Sequence, residues 1–539
     1  MSQKEFNLLH EPWIKVMKFD GSIDEVSLVK VFEEAHHYQG LAGELPTQDV
    51  AVMRILLAIL HAVFERVNLQ GIPDPVLSPE KALERWQLLW DRAYFPMELI
   101  SKYLEHYKDR FWLFHEKYPF FQVPGMGRAT QYTASKLNGE LSESNNKTRL
   151  FPQRTGENKA LLDYAEACRW LIYINGYDDT AAKPTQSGLP SPGAGWLGKL
   201  GIINAVGANL FETLLLNLVL LRDGSDELWE RGGPVWENEK VKLEERTEIP
   251  MPVNLSCLYT LQSRRLNLIK QDNKVIGYNL LGGDFFPKEN SINEQMTLWR
   301  NAAKKKDDPP EYHPRRHDPS RQLWRDFPVM VGQGGAFRKP GVVGWLGRLK
   351  SEKLISRSHF RFQIAGVKYG SKDFFIDDII GDSIAFNANL LTSLGKDWIT
   401  RIIDEINITD QLSEQTGRLA QNLALAAGDT DGYSRKNHAK EHAYFRLDEP
   451  FRGWLESIDP VHDAENKEEI CEKWWQEARN IVRKLGRELV YQSGPKAFTG
   501  RVLATGDSSN EKTRRYTAPE AYDYFLYRTS NRELLYRKE

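Results

Sequence analysis

Cysteine is almost missing from this chain: 539 residues hold three, Cys168, Cys257 and Cys471, far apart and without a Cys-x-x-C pair. That count and spacing argue against a disulfide framework and a cysteine zinc site, and make a reducing compartment the expected home. Long apolar runs are scarce too. The greasiest windows, Val50–Phe64 and Asn209–Leu221, are too short or too interrupted by charge to be expected to span a bilayer. The opening, "MSQKEFNLLHEPW", lacks the apolar core of a secretory signal. The expectation is a soluble, cytoplasmic chain with no membrane partner. Neither a repeat nor a low-complexity segment is apparent, and an overall charge of −2 favours no class of partner.

What is present is enough for more than one core. Hydrophobic residues make up 41%, with 15 tryptophans, and the length exceeds the roughly 250–300 residues at which single cores stop growing. Charge is unevenly spread. From Arg300 to Arg361 there are 15 Lys/Arg against 6 Asp/Glu, a local excess of nine cations on an otherwise acidic chain. Such asymmetry is the footprint of a docked polyanion, or else of a solvated surface segment.

Periodicity predicts an α+β protein. Residues 6–33 alternate as strand-like pieces about an Asp20-Gly21 turn, which predicts a β-hairpin. Apolar residues at helical spacing predict a buried helix over Gln48–Val67 with Thr47 as N-cap, and another over Asn209–Leu221. The polar tract Lys136–Lys159 has no period and reads as a long loop. Short strands and loops are expected from Val253 to about Asp378. Beyond about Asp382 five helix-periodic segments, separated by Gly, Asp or Pro, predict an antiparallel bundle of about four main helices. The expected division is a mixed α/β N-terminal domain, 1–382, and a C-terminal four-helix bundle, 383–539.

Several strings invite a chemical reading. "PGAGWLGKLG" (Pro192–Gly201) contains G-x-G-x-x-G, but a Pro/Ser/Gly loop precedes it where a dinucleotide site needs a strand. Leu200 follows Gly198-Lys199 where a phosphate loop needs a hydroxyl. No cofactor is expected. His438-Ala-Lys-Glu441-His442 has the spacing of an inverted zinc-peptidase helix. Arg435, Lys436 and Lys440 oppose a cation there and no third ligand is evident, so a histidine pair on a bundle helix is the simpler reading; a metal-dependent hydrolase is the alternative. The arginines of "YHPRRHD" (Tyr312–Asp318) suit phosphate pairing better than a metal. Between Gly332 and Phe362 Lys/Arg, glycines and aromatics are mixed, as nucleic-acid contact requires. Gly370-Ser371 predicts a hairpin whose tip carries Ser371, Lys372 and Asp373, either a groove-entering device or merely an exposed turn.

Taken in order, "FNLLHEPWIKV" (Phe6–Val16), "PFFQVPG" (Pro119–Gly125), "HPRRHDP" (His313–Pro319) and "EHAYFRLDE" (Glu441–Glu449) resemble the CasA family, the large subunits of the type I-E CRISPR surveillance complex Cascade. The resemblance implies a non-catalytic subunit with guide RNA and other Cascade subunits as partners. It would recognise the protospacer-adjacent motif (PAM) in double-stranded target DNA, promote duplex opening and recruit a helicase-nuclease. A purely architectural subunit is the blander alternative. The family's glycine loop in the PAM minor groove corresponds to Gly188, Gly193 and Gly195, and its groove-reaching lysine to Lys288. Its hairpin wedge corresponds to Ser371, Lys372 and Asp373, with Lys372 where some members carry glutamine. Its guide-RNA loop corresponds to Phe151 and Gln153, in an altered Phe-Pro-Gln setting. Arg338, Lys339, Arg348 and Lys350 would form the basic DNA-facing surface. The cysteine cluster of some members has no counterpart, so no metal site is expected.

Overall fold

The opening hairpin forms where Asp20-Gly21 turns the chain. Ile14–Lys18 pairs antiparallel with Ile23–Val26, and Gly21 takes the left-handed φ of +81°. The second strand stops at Val26. Ser27 accepts a hydrogen bond from the Lys30 amide and starts a helix, Leu28–Glu33, where alternation predicted continued strand. The computed structural model describes residues 4–139, 156, 160–181, 183–240, 242–243, 245–303, 305, 308–332, 337–505 and 512–536.

The chain divides into two units, Met1–Pro319 with Val329–Ser356 and Phe360–Ser383, and Ser320–Pro328 with Arg357–His359 and Ile384–Glu539. The second therefore takes two short pieces from before the expected boundary.

In the first unit the central helix is Pro46–Phe64, with Pro46 in the first turn; the N-cap position falls on Leu45, and Thr47 lies buried inside the helix. By length and composition this helix could cross a bilayer, which the sequence windows did not anticipate, yet 94% of its apolar window is buried in the protein. Its buried Arg54 forms a bidentate pair with Glu294 at 2.9 and 2.9 Å. The second apolar helix is shorter than expected. It runs from Leu210, capped by Asn209, only to Leu216. Asn217 then turns its amide onto Ala205 O and Thr213 O.

Two three-stranded sheets position the loops of interest. One orders Thr130–Thr133, Lys274–Gly282 and Arg264–Gln271. The other orders Ile376–Asn387, His359–Tyr369 and Ile202–Val206. In the latter Ala365 faces Ile202 and Arg361 faces Val206. That register carries the end of the middle strand past the start of Ile202–Val206. The turn at 370–375 therefore lies beside the segment that enters the sheet at Gly201. The basic stretch between them, expected as strand and loop, contains the helix Gly341–Ser351.

The second unit holds four main helices, Lys396–Ala427, Tyr433–Ser457, Lys467–Gln492 and Ala518–Arg528, as the period predicted. Two segments expected to be separate are one helix of 32 residues, ended by Gly428 at φ +118°. A hairpin, Arg501–Thr505 with Lys512–Tyr516, is added. Phe451 and Trp454 pack on Trp474, whose indole N–H donates to Thr409 Oγ1 at 3.0 Å.

Candidate nucleic-acid interface

The helix Tyr164–Tyr177 begins at Asp163, which accepts from the Glu166 amide, and ends in two buried carboxylates, Asp178 and Asp179. Burial alone would raise both carboxyls. Lys183 and Arg264 outweigh it at Asp178 and hold that carboxyl below the usual range. Asp179, desolvated and beside Asp178, titrates above its usual range. Lys183 bonds Asp178 at 2.8 Å, and Lys136 bonds Asp179 at 2.6 Å. Lys136 thus belongs to a short helix, Ala134–Leu137, rather than to the loop the sequence predicts there.

This network fixes the glycine segment that follows. Arg264 pairs with the Asp178 carboxylate and donates through Nη2 to Gly193 O at 2.6 Å. The Gly195 amide donates to Asp178 O at 2.8 Å. Trp196 is buried, and its indole N–H reaches Glu294 of the central ion pair at 3.2 Å. The glycines therefore have different reasons to be glycine. Gly188 is exposed in a turn at φ +81° with open space around it. Gly193 is exposed, and a Cβ there would meet only the end of Lys199, Cε at 3.9 Å and Nζ at 4.0 Å. Gly195 is buried, and a Cβ would lie 2.3 Å from Gly176 O. Gly198 and Gly201 are likewise close approaches, to Tyr369 and to Arg315 O. Of the three glycines named from the sequence, only Gly188 and Gly193 are accessible.

The hairpin tip is joined to this segment. Thr180 donates through its amide to Asp373 O and through its hydroxyl to Lys372 O, both at 2.9 Å. Arg316 clamps the Asp373 carboxylate with two bonds, 2.9 and 2.8 Å. The Asp373 carboxylate is thus taken up by Arg316. Ser371 and Lys372 are exposed, and Lys372 holds a left-handed φ of 55°. Phe374 is 45% exposed, a large aromatic at a tip. Lys288 is exposed on the turn Lys288–Ser291, close enough for its charge to act on Lys199.

Other expectations fall elsewhere. Phe151 and Gln153 lie outside the described residues. The expected basic surface is partly spent on ion pairs: Arg338 pairs with Asp223 at 2.5 Å and stacks over Trp299, and Arg348 pairs with Asp226 and Glu352. Lys339 and Lys350 are half-buried, and burial lowers the Lys339 ammonium. His438 and Glu441 are exposed and His442 half-buried, with the two rings 6.5 Å apart. Lys436 and Lys440 pair with Glu414 at 2.6 and 2.8 Å. Among the described residues only Glu289, Glu311 and His313 bring three metal-type ligand atoms within 4.8 Å, and the H-x-x-E-H pair gathers no third. In the "YHPRRHD" string His313 faces Glu311 at 2.7 Å, and His317 bonds Ile202 O at 2.8 Å.

Sequence reasoning missed Lys199, Arg246 and Phe374. Lys199 stood in the open, inside the glycine string set aside as a failed phosphate loop. Burial, with Arg264, Lys288, Arg316 and Arg246 around it, pushes its ammonium down to about 8. No local signal marks Arg246, which bonds Pro190 O and Gly283 O.

The family model described as CRISPR-associated protein Cse1 matches residues 7–485. A curated relative, the CRISPR-associated protein CasA/Cse1 of Thermus thermophilus, is 28% identical over 492 residues, covering 88% of this chain and 90% of that one. The crystal structure of Thermobifida fusca Cse1 superposes with a TM-score of 0.81 at 30% identity over 99% of both chains. A chain of a CRISPR RNA-guided surveillance complex shares the fold, with a TM-score of 0.63 at 15% identity over 91% of this chain and 100% of that one.

Proposed function

Since the chain belongs to the CRISPR-associated Cse1 family, we propose that it is the non-catalytic large subunit of a cytoplasmic RNA-guided antiviral surveillance complex. In that role it senses the PAM of double-stranded target DNA, promotes opening of the duplex and recruits the helicase-nuclease. The observation that carries this reading is convergence within the first unit. The exposed backbone at Gly193, the Lys372–Phe374 tip and the cation Lys288 come from segments far apart in sequence. The carboxylate network around Asp178, the Thr180 bonds and the Arg316–Asp373 clamp hold their supports together.

The division of labour follows from chemistry. A side-chain-free backbone can approach base edges in the narrow minor groove, whose degenerate pattern suits a sensor accepting several PAMs. Lysines supply phosphate contacts without reading sequence. An exposed aromatic at a rigid tip can insert between base steps, and unstacking there starts strand separation. Sequence beyond the PAM is left to pairing with the guide RNA.

The test is target-duplex binding by the reconstituted guide-RNA complex, with and without this chain, on duplexes with and without a PAM. PAM-dependent binding is expected to fall by at least about tenfold when the chain is omitted and to return on adding it back. Binding indifferent to its presence would overturn the sensor reading in favour of an architectural subunit.

A further inference from the structure

The buried cations of the first unit are mostly matched to carboxylates. Arg54 has Glu294, Arg264 and Lys183 have Asp178, Arg265 has Asp284, Lys136 has Asp179 and Arg169 has Glu44. Lys199 and Arg246 break the pattern. Arg246 spends its donors on two backbone carbonyls, Pro190 O and Gly283 O, and stacks over Phe285 at 4.4 Å, with no carboxylate. Lys199 is half-buried, and among the described residues its ammonium has neither a hydrogen bond nor an ion pair. Desolvated charge without an opposite charge beside it is costly, so two such cations together call for a missing anion.

They share a cleft. It has about 340 Å³ of open space including its mouth, with Gly193 and Ala194 on one side, Lys199, Arg246 and Arg264 contributing cations, and Ser263 a hydroxyl. The one carboxylate on its wall, Asp284, is already occupied, by Arg265 at 2.5 Å on one oxygen and Lys242 at 2.7 Å on the other. Nothing in the cleft therefore neutralises Lys199. Arg264, Lys288, Arg316 and Arg246 all act on it with the same sign.

We propose that the cleft beneath Gly193 is a seat for one tetrahedral oxyanion, filled in the working complex by a backbone phosphate of the duplex held at the glycine segment. The assignment to DNA rests on the function proposed above; the seat itself rests only on the cleft and its unmatched cations. A phosphate there would fix how deeply the exposed backbone at Gly193 enters the groove, because the contact lies directly under it. It would also make binding pH-dependent in a definite direction. With its ammonium pushed down to about 8, chiefly by burial and then by Arg264, Lys288, Arg316 and Arg246, Lys199 is charged at pH 7 and largely neutral at pH 9. Anion binding is therefore stronger below pH 8 and weaker above it.

The experiment has two arms, on wild type, Lys199→Met and the charge-keeping Lys199→Arg. In the first, thermal unfolding of the full chain is followed at pH 7 in inorganic phosphate against chloride of equal ionic strength. Phosphate is expected to raise the wild-type and Lys199→Arg midpoints more than that of Lys199→Met. In the second, PAM-duplex binding by the reconstituted complex is measured against salt at pH 7 and pH 9. At pH 7 Lys199→Met is expected to lower the slope of log K against log salt by about one. It should also lose the decline in affinity between pH 7 and 9, while Lys199→Arg keeps the wild-type slope. Equal phosphate shifts in all three chains overturn the seat. A shift lost in Lys199→Met with an unchanged salt slope means a site for a free anion only and overturns the DNA-phosphate assignment. If PAM binding does not depend on the chain at all, the function proposed above fails, and the first arm still decides the seat.

Discussion

At the residue scale, neighbouring glycines of one string do different things. Gly195 is excluded from solvent, and a methyl group there meets the Gly176 carbonyl carbon and oxygen and the Tyr177 nitrogen at 2.3–3.1 Å. That backbone is held by Asp178 and by the Tyr369 hydroxyl, so it cannot retreat. Gly195→Ala is expected to destabilise the chain by about 2–3 kcal/mol through overpacking. Gly193→Ala meets only the flexible end of Lys199, Cε and Nζ, and should leave the unfolding midpoint near wild type, within about 0.5 kcal/mol. In the proposed role it should nevertheless weaken PAM binding, because the methyl would occupy the backbone's approach to the groove. Melting curves and duplex titrations of both variants separate the two roles; a Gly193→Ala complex that binds normally would remove Gly193 from the interface. The sequence marked the string but could not sort it. Whether a glycine is needed for an approach to a ligand or to the protein's own backbone depends on what lies far along the chain or at the end of the preceding helix.

At the element scale, the hairpin between His359–Tyr369 and Ile376–Asn387 was legible, because a Gly-Ser turn between alternating runs is a local signal. Its setting was not. The tip is held by Thr180 and Arg316, and neither bond has a sequence signature. The basic segment was misread for a related reason: its glycines and aromatics suggested loop and strand, while Val342, Val343, Trp345, Leu346 and Leu349 pack as the buried side of a helix. The bundle was easier, since helical period is local and survives burial, although nothing local revealed that Lys396–Ala427 continues unbroken. For the hairpin, Phe374→Ala is expected to slow strand opening several-fold while leaving first capture of the PAM duplex nearly intact, since in the proposed role the aromatic acts only once bases unstack. Asp373→Asn keeps a residue that tolerates the left-handed φ of 59° but discharges the clamp on Arg316. The ion pair is partly exposed, so this should cost below about 1 kcal/mol of stability. It should impair opening in the same direction as Phe374→Ala. A fluorescent-base opening assay distinguishes these outcomes from a defect in capture.

At the scale of the whole molecule, part of the excess of nine cations between Arg300 and Arg361 is spent on ion pairs, while Arg300, Lys305, Lys353 and Arg361 are exposed. Arg316 is matched by Asp373, Arg325 by Asp410, Arg338 by Asp223 and Arg348 by Asp226 and Glu352. Most of those carboxylates come from far along the chain. Counting charge along a sequence window sees the cations and not the partners that folding supplies. Lys288 and Lys372 are exposed as well, and neither has an ion pair among the described residues. A direct consequence concerns salt. Each lysine that meets a phosphate adds nearly one unit to the slope of log K against log salt, whereas an arginine spent on internal carboxylates adds none. Lys288→Ala and Lys372→Ala are each expected to lower that slope by about one for PAM-duplex binding by the assembled complex, with little change in the unfolding midpoint. Arg348→Ala should do the reverse, lowering the midpoint slightly and leaving the slope where it was. If Arg348→Ala flattens the salt dependence and the two lysine variants do not, the duplex lies along the helix Gly341–Ser351, and the interface must be moved away from the glycine segment.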